Sequence, residues 1–574
     1  MSSTRRSFLK QAGETAMALC LSELLPARAA AQGEDPAFLL GDDSFRVVFH
    51  PHTGALSKLV NEGWAIQRRP ELGVSFRMHV PLPDRRDNFV LGQKQTLSGI
   101  SRVGRNVMQL TWDRLESEHG GTLPVQLMAA VTLDDSGLHF QGNLKNDSDL
   151  VIESIEFPYL GDLQAPTPDA PIWRRQIWYE NFQSEEIHPH FNNAIWGYWG
   201  FPSPMQSGGS SSSLFTLIES NDHGLYAGVQ DPTAKYLVQY TFEQKPGVLE
   251  SIHNQVPVQE SISGIPAHLE FRFTHFVFAQ PHTKIELSPT VLRPYRGDWH
   301  AGVDIYKEWR KSWFQSTAVP AWANQVHAWQ EVQMNSPEDD LRFRYTDLVK
   351  IGEECAKNGV KAIQVVGWNN GGQDRNNPSL DIDPRLGTWQ ELHDSIARVQ
   401  AMGVKIILFG KFVWADKSSQ WYQRDLYRYA AKDPYGEAYE NFGYGYTTPT
   451  QLAGIKTRRF AVMCTACEPY RKIALSEFKK VLALNADGFL FDEVCHHGPA
   501  KYCFAKDHGH PVPAISMAPI VNSRPTCIRL PRARSFSSPA KRRKTSSSRI
   551  IPSPTSASTV HAFPWAAISI PMRL

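Results

Sequence analysis

Between residues 38 and 290 short strand-like runs follow one another with no helical period between them. At about residue 322 this gives way to regular alternation of apolar strands and amphipathic helices. A chain written this way has to build two different kinds of core. In the first part Phe45-Arg-Val-Val-Phe49, Gln126 to Leu133 and Leu269 to Phe278 run apolar or alternate. His52-Thr-Gly54, Asp134-Asp-Ser-Gly137 and Asn146-Asp-Ser148 supply turns between such runs. Many strands without intervening long helices predict a large β-sandwich over 38–290. Residues 298–314 carry apolar spacing suited to a helix within a linker at 291–321.

The second part reads strand 326–332, helix 345–358, strand 362–368, helix 388–402, strand 404–409, helix 468–484 and strand 488–491. Apolar strands joined by helical crossovers predict a parallel sheet covered by helices. Polar residues crowd behind the strand ends, which favours a (β/α)8-type barrel over a doubly wound sheet. Only four such strands are legible, so the expectation over 322–514 is an incomplete barrel. Residues 515–574 are Arg-, Ser- and Pro-rich, acid-free and without period. They read as a disordered basic tail whose composition suggests out-of-frame translation, with a polyanion-binding tail as the alternative. The predicted class is multidomain β + α/β: a large N-terminal β-sandwich, an incomplete (β/α)8-type barrel and that tail.

Charge narrows the functional classes. The formal net charge is +2, but ten Lys or Arg fall after residue 514, leaving 50 basic against 58 acidic residues in the rest, a net of −8. The basic excess is terminal, so nucleic acid is not the expected partner. Thr4-Arg5-Arg6-Ser7-Phe8-Leu9-Lys10, a modest apolar run and Ala27-Arg28-Ala29-Ala30-Ala31 form a twin-arginine export pattern over 1–31, predicting a periplasmic or secreted protein. Glu14 and Glu23 interrupt the run, so no stable membrane insertion is expected. Cys464-Thr-Ala-Cys467, with Cys495 and Cys503 downstream, lacks a second well-spaced pair. These are expected as core thiols, a metal site being the minor alternative, and neither metal nor cofactor is predicted. Sixteen Trp, 18 Tyr and 29 Phe favour a carbohydrate partner, although aromatics fill cores as readily as they stack on sugars.

Catalytic groups of parallel barrels emerge where strands end. Glu331 follows the first strand, Trp368, Asn369 and Asp374 the second, and Lys411, Trp414 and Asp416 the third. Asp492, Glu493 and His496 follow the fourth. Asp492 is the candidate catalytic carboxylate and the other nine are candidate substrate-binding residues, with capping or structural roles as the alternative. Extended geometry turns Glu493 away from Asp492, which makes it the weaker carboxylate. His188, His190 and Trp196-Gly-Tyr-Trp199 in the sandwich are read as core first and substrate contacts second.

Asp487-Gly-Phe-Leu-Phe-Asp492-Glu493 resembles the fourth-strand motif of the α-glucosidase and α-galactosidase clan, Asp-Gly-Phe-Trp-x-Asp, which carries the nucleophile. The layout of about 40–512 also resembles secreted bacterial glycosidase-like proteins in which a galactose-mutarotase-like sandwich precedes such a barrel. The matching pieces are Phe201-Pro-Ser-Pro-Met-Gln206, Gly224 to Asp231, Gly297-Asp-Trp-His300 and Gly367-Trp-Asn369. The resemblance implies a glycoside hydrolase acting on oligo- or polysaccharides by retaining double displacement, with Asp492 as nucleophile. It places the acid/base carboxylate on a later strand, in the stretch where the sequence changes character. A non-catalytic carbohydrate-binding protein and an inactive product are the alternatives.

Overall fold

The computed structural model describes residues 36–515, apart from 68, 179–180, 189, 192–204, 208–213, 234, 246–255, 258–267, 315–319, 327, 442–459 and 493–501. The export pattern of 1–31, the tail beyond 515, Trp196 to Trp199, Glu493 and His496 lie outside the described residues.

From Leu39 to Arg296 the chain is antiparallel β-sheet. Val107–Ser117, Gly121–Asp134 and Gly137–Asn146 form a meander, and the last of these pairs with Thr283–Glu286 and Thr290–Arg296. Gly137–Asn146 alternates buried and half-buried positions, as expected for a strand with one covered face. Ser154–Leu163 and His268–Phe276, which pair with each other, are buried along nearly their whole length and therefore have both faces covered. The terminal strand of this sheet runs Thr290–Arg296 against His223–Val229, so sheet pairing continues beyond residue 290.

Covering both faces of a strand forces polar side chains indoors, where they must find partners. Arg272 is buried and is held by Glu156, Glu243 and Glu270 at 3.1, 2.7 and 3.5 Å. His275 on the same strand is also buried, its Nε2 lying 2.8 Å from the Phe157 carbonyl. Burial pushes its imidazole down to about 4 from an ordinary 6.5. The folded chain thus keeps the ring neutral at pH values where the unfolded chain protonates it. This contribution to stability is complete above 6.5 and drains away as pH falls to about 4, by about 3 kcal/mol in all. Denaturant titrations from about pH 7 down to about pH 4 should show a shallower loss in His275→Gln than in the wild type. Equal slopes would contradict this assignment.

Asp298 caps the helix Trp299–Trp313 by accepting from the His300 N–H. Four parallel strands follow: Trp329–Gln333, Ala362–Val366, Lys405–Gly410 and Gly488–Phe491, side by side in chain order. The helices Asp347–Lys357, Trp389–Ala401 and Glu468–Ala483 return the chain between strands. Thr388 and Glu391 form a reciprocal capping box at the start of the second helix. Val332, Val365, Leu408 and Phe489 lie on one rung and pack with Leu392, Ile396 and Phe478 of the helices. Among the described residues these strands form one open parallel sheet, not a closed barrel.

A small antiparallel sheet of Trp414–Asp416, Phe460–Val462 and Glu440–Asn441 stands behind the third strand, and Tyr502–Cys503 pairs with Ala514–Ile515. The sequence patterns did not announce either, because such short strands carry no period. Among the described residues no helix is long and apolar enough to cross a membrane.

Candidate active site at the ends of the parallel strands

Side chains alternate across a strand, so the rung above and below the helix-packed one faces away from the helices. Glu331, Gln364, Ile407 and Gly488 share one such rung. Phe409 and Leu490 belong to the next, and Lys411 and Asp492 stand one step beyond the last strand residues. The Asp492 N–H donates to the Gly410 carbonyl at 3.0 Å, which carries the ladder one step further and fixes Lys411 and Asp492 as neighbours.

Lys411 joins two carboxylates. Its Nζ is 2.8 Å from Asp374 Oδ1 and 3.2 Å from Asp492 Oδ2. The ammonium also lies 5.1 Å from the centre of the Trp414 ring, which stacks on Phe460 at 5.4 Å. The Lys411 and Asp374 side chains are only 4% and 7% exposed, whereas that of Asp492 is 34% exposed. Asp492 is therefore the member of the trio that can meet a ligand.

The loop after the second strand delivers Asp374. Gly367 turns the chain at φ +65°, where a Cβ would sit 2.0 Å from the Asn335 carbonyl oxygen, so no other side chain fits. Asp374 and Asn376 also take left-handed backbone conformations, at φ 62° and 60°. Asp383 accepts from the Gly371 N–H at 3.1 Å, and Arg385 bridges Asp383 and Asp339 at 2.7 and 2.9 Å. Arg375 adds a second ion pair to Asp339 at 3.1 Å. These contacts hold a strained loop in one shape.

The remaining sequence candidates are placed differently. Trp368 is fully buried and its indole N–H donates to the Phe409 carbonyl at 2.8 Å, tying the second strand to the third. Asn369 is buried, with its amide donating to the Ser379 carbonyl at 3.3 Å. Asp416 is buried and accepts from the N–H groups of Asn376 at 3.0 Å and Ser418 at 2.9 Å, so it ties the Asp374 loop to the small sheet. Glu331 is exposed and accepts from Gln364 at 3.0 Å. It shares a rung with Gly488, four residues below Asp492 and so roughly 13 Å away along the strand direction. His188 lies in the antiparallel sheet with Nε2 3.2 Å from the Pro168 carbonyl.

The two aspartates of Asp487-Gly-Phe-Leu-Phe-Asp492 separate cleanly. Asp487 is buried at the start of the strand, accepting from the Ile406 N–H at 3.1 Å, from Gln400 at 2.8 Å and from Lys405 at 2.9 Å. It docks the fourth strand on the third. Asp492, at the other end, has the accessible carboxylate.

Residues 286–514 match the family described as a domain of unknown function, DUF6259. No curated protein matches the chain. Among solved structures, the fold is similar to the α-N-acetylgalactosaminidase NagBb of Bifidobacterium bifidum in its complex with GalNAc. The TM-score is 0.56 at 11% identity, over 84% of this chain and 73% of that one. The complex of the same protein with Gal-NHAc-DNJ gives 0.56 at 12% identity, over 83% and 72%. At this identity the likeness shows that the fold is shared with NagBb and goes no further than the fold.

Proposed function

We propose that the chain is a retaining glycoside hydrolase acting on oligo- or polysaccharides, with Asp492 as the attacking carboxylate. One observation carries this reading: at the carboxyl ends of adjacent parallel strands, a buried ammonium holds an accessible carboxylate in a fixed direction. Glycosidic cleavage develops positive charge at the anomeric carbon, and a short, rigidly placed carboxylate either stabilises or captures it. Capture forms a glycosyl ester as the bond to the leaving oxygen breaks and that oxygen takes a proton; water then cleaves the ester and restores the carboxylate. Lys411 orients Asp492 and, being shared with Asp374, leaves it electron-rich enough to attack. A proton donor in a retaining site stands about 5–5.5 Å from the nucleophile, and Glu331 is too remote for that part.

In this reading the four parallel strands belong to a (β/α)8-type barrel, and the export pattern at residues 4–10 supports a substrate met outside the cytoplasm. The similarity to NagBb directs the choice of substrates to α-linked N-acetylgalactosamine, and the resemblance of Asp487-Gly-Phe-Leu-Phe-Asp492 to the α-glucosidase and α-galactosidase motif adds α-linked galactose and glucose. Nitrophenyl α-glycosides of these sugars should be cleaved, with proton NMR showing the α-anomer formed first. Release of the β-anomer first would rule out a covalent intermediate. Sugar binding without cleavage of any of them would favour a carbohydrate-binding protein instead.

A further inference from the structure

Apart from the trio of Asp374, Lys411 and Asp492, four metal-binding side chains meet where the small sheet touches the segment 502–515. The Cys464 and Cys503 sulfurs and one ring nitrogen each of His508 and His510 all lie within 4.8 Å of one another. Cys464 follows the strand Phe460–Val462, with its N–H on the Tyr429 carbonyl at 2.9 Å. Cys503 belongs to the short strand Tyr502–Cys503, and both histidines lie in the loop that follows it. Both sulfurs and His508 are buried and His510 is half-buried.

The histidines are oriented by their outer nitrogens. His508 Nε2 is 2.8 Å from the Arg428 carbonyl and His510 Nδ1 is 2.8 Å from the Pro511 carbonyl. A carbonyl only accepts, so each of those nitrogens carries the ring proton. The opposite nitrogen of each neutral ring then presents a lone pair inward: His508 Nδ1 at 3.4 Å from Cys503 Sγ, and His510 Nε2 at 3.3 Å from Cys464 Sγ. Backbone carbonyls fixing the outer nitrogen of a ligating histidine are the usual support of a protein metal site. Ions at about 2.3 Å from sulfur and about 2.0–2.1 Å from nitrogen hold such donors roughly 3.3–3.8 Å apart in a tetrahedron. The two sulfur–nitrogen separations, 3.3 and 3.4 Å, fall at the near end of that range, and the other pairs lie within 4.8 Å.

We propose that Cys464, Cys503, His508 and His510 form a structural zinc site. Two thiolates and two neutral imidazoles cancel the charge of a divalent ion, which suits a buried position, and the mixed sulfur–nitrogen tetrahedron selects zinc among common metals. Four protein ligands fill the coordination sphere, so the ion would join segments and not bind substrate. The join is mechanical: the Tyr502 hydroxyl reaches the Leu237 N–H at 3.1 Å and the Phe276 carbonyl at 2.8 Å in the large sheet, while the Cys464 strand pairs with Trp414–Asp416. Cys467, which completes the C-x-x-C spacing, is outside the set. The informative pattern is Cys503-x4-His508-x-His510, with its fourth member supplied from Cys464.

The full chain, produced with zinc in the medium and purified without chelator, should carry one zinc per chain by elemental mass spectrometry. Replacement by cobalt should give the intense visible bands of a tetrahedral ion together with thiolate-to-cobalt charge transfer. Zinc content should fall to background in Cys503→Ser, and His510→Ala should bind zinc at least about tenfold more weakly, the lower end of what losing even an outer partner of a ligand costs. If the variants do not fold, zinc content and the cobalt spectrum of the wild-type chain still decide. A zinc-free chain, a Cys464–Cys503 disulfide found by peptide mapping, or cobalt bound without thiolate charge transfer would each overturn the proposal.

Discussion

Asp492→Asn is expected to reduce turnover of the best aryl α-glycoside by on the order of a thousandfold or more, since loss of a covalent nucleophile removes the reaction path and not one contact. The substitution keeps size and shape while removing the charge that attacks the anomeric carbon. Asp374 still pairs with Lys411 at 2.8 Å, so the buried part of the trio survives and the fold should be retained. Circular dichroism and the melting temperature should therefore match the wild type within a few degrees. The smaller variant Asp492→Gly should regain turnover with added azide, which enters the vacated space and leaves as a glycosyl azide. A fully active Asp492→Asn chain would contradict the assignment. So would an inactive one that has lost its fold, because it would make Asp492 structural.

Lys411→Met should have the largest effect on stability. The ammonium is buried between carboxylates, and Asp374 beside it is buried too. Removing one partner of a buried pair while leaving the other charged typically costs about 3–5 kcal/mol. The second substitution tests the cause. In Lys411→Met with Asp374→Asn no buried charge is stranded, since the Asp492 carboxylate that remains is 34% exposed to water, and the double variant should be more stable than the lysine variant alone. Thermal denaturation of the four chains of this cycle reads the coupling directly. Simple additivity of the two losses would show that Lys411 matters for its packing on Trp414 and not for its charge.

How much of this was legible in the sequence depended on how local the cause was. The parallel strands could be read because helices cover one face and apolar residues such as Val366 and Phe409 line much of the other, so Ala362–Val366 and Lys405–Gly410 are apolar throughout except at Gln364 and Lys405. The helical stretches read from 388 and from 298 by their apolar spacing do start where the structure has its capping residues, Thr388 and Asp298. Asp492 stood out through the residues before it, and Lys411 and Asp374 through their places after strand ends.

Their meeting at a single ammonium could not be read. It depends on Gly367 and on two non-glycine residues in left-handed conformations, held by ion pairs to Asp339 from another loop. Asp416 shows the converse. A carboxylate after a strand reads equally well as a substrate contact or as a cap, and here it holds the Asn376 and Ser418 N–H groups. The Cys464–His510 cluster was hidden because its members come from two separate segments and the obvious C-x-x-C spacing points at the wrong partner, Cys467.

The central claim is that the Asp492 carboxylate, steered by Lys411, becomes covalently joined to sugar. Incubating the chain with a fluorinated glycosyl probe of the sugar it hydrolyses, followed by peptide mass mapping, tests this most directly. The prediction is one sugar per chain, attached to the peptide that contains Asp492 and absent from Asp492→Asn. A label on any other carboxylate, or rapid hydrolysis of the substrate with no label at all, would contradict it.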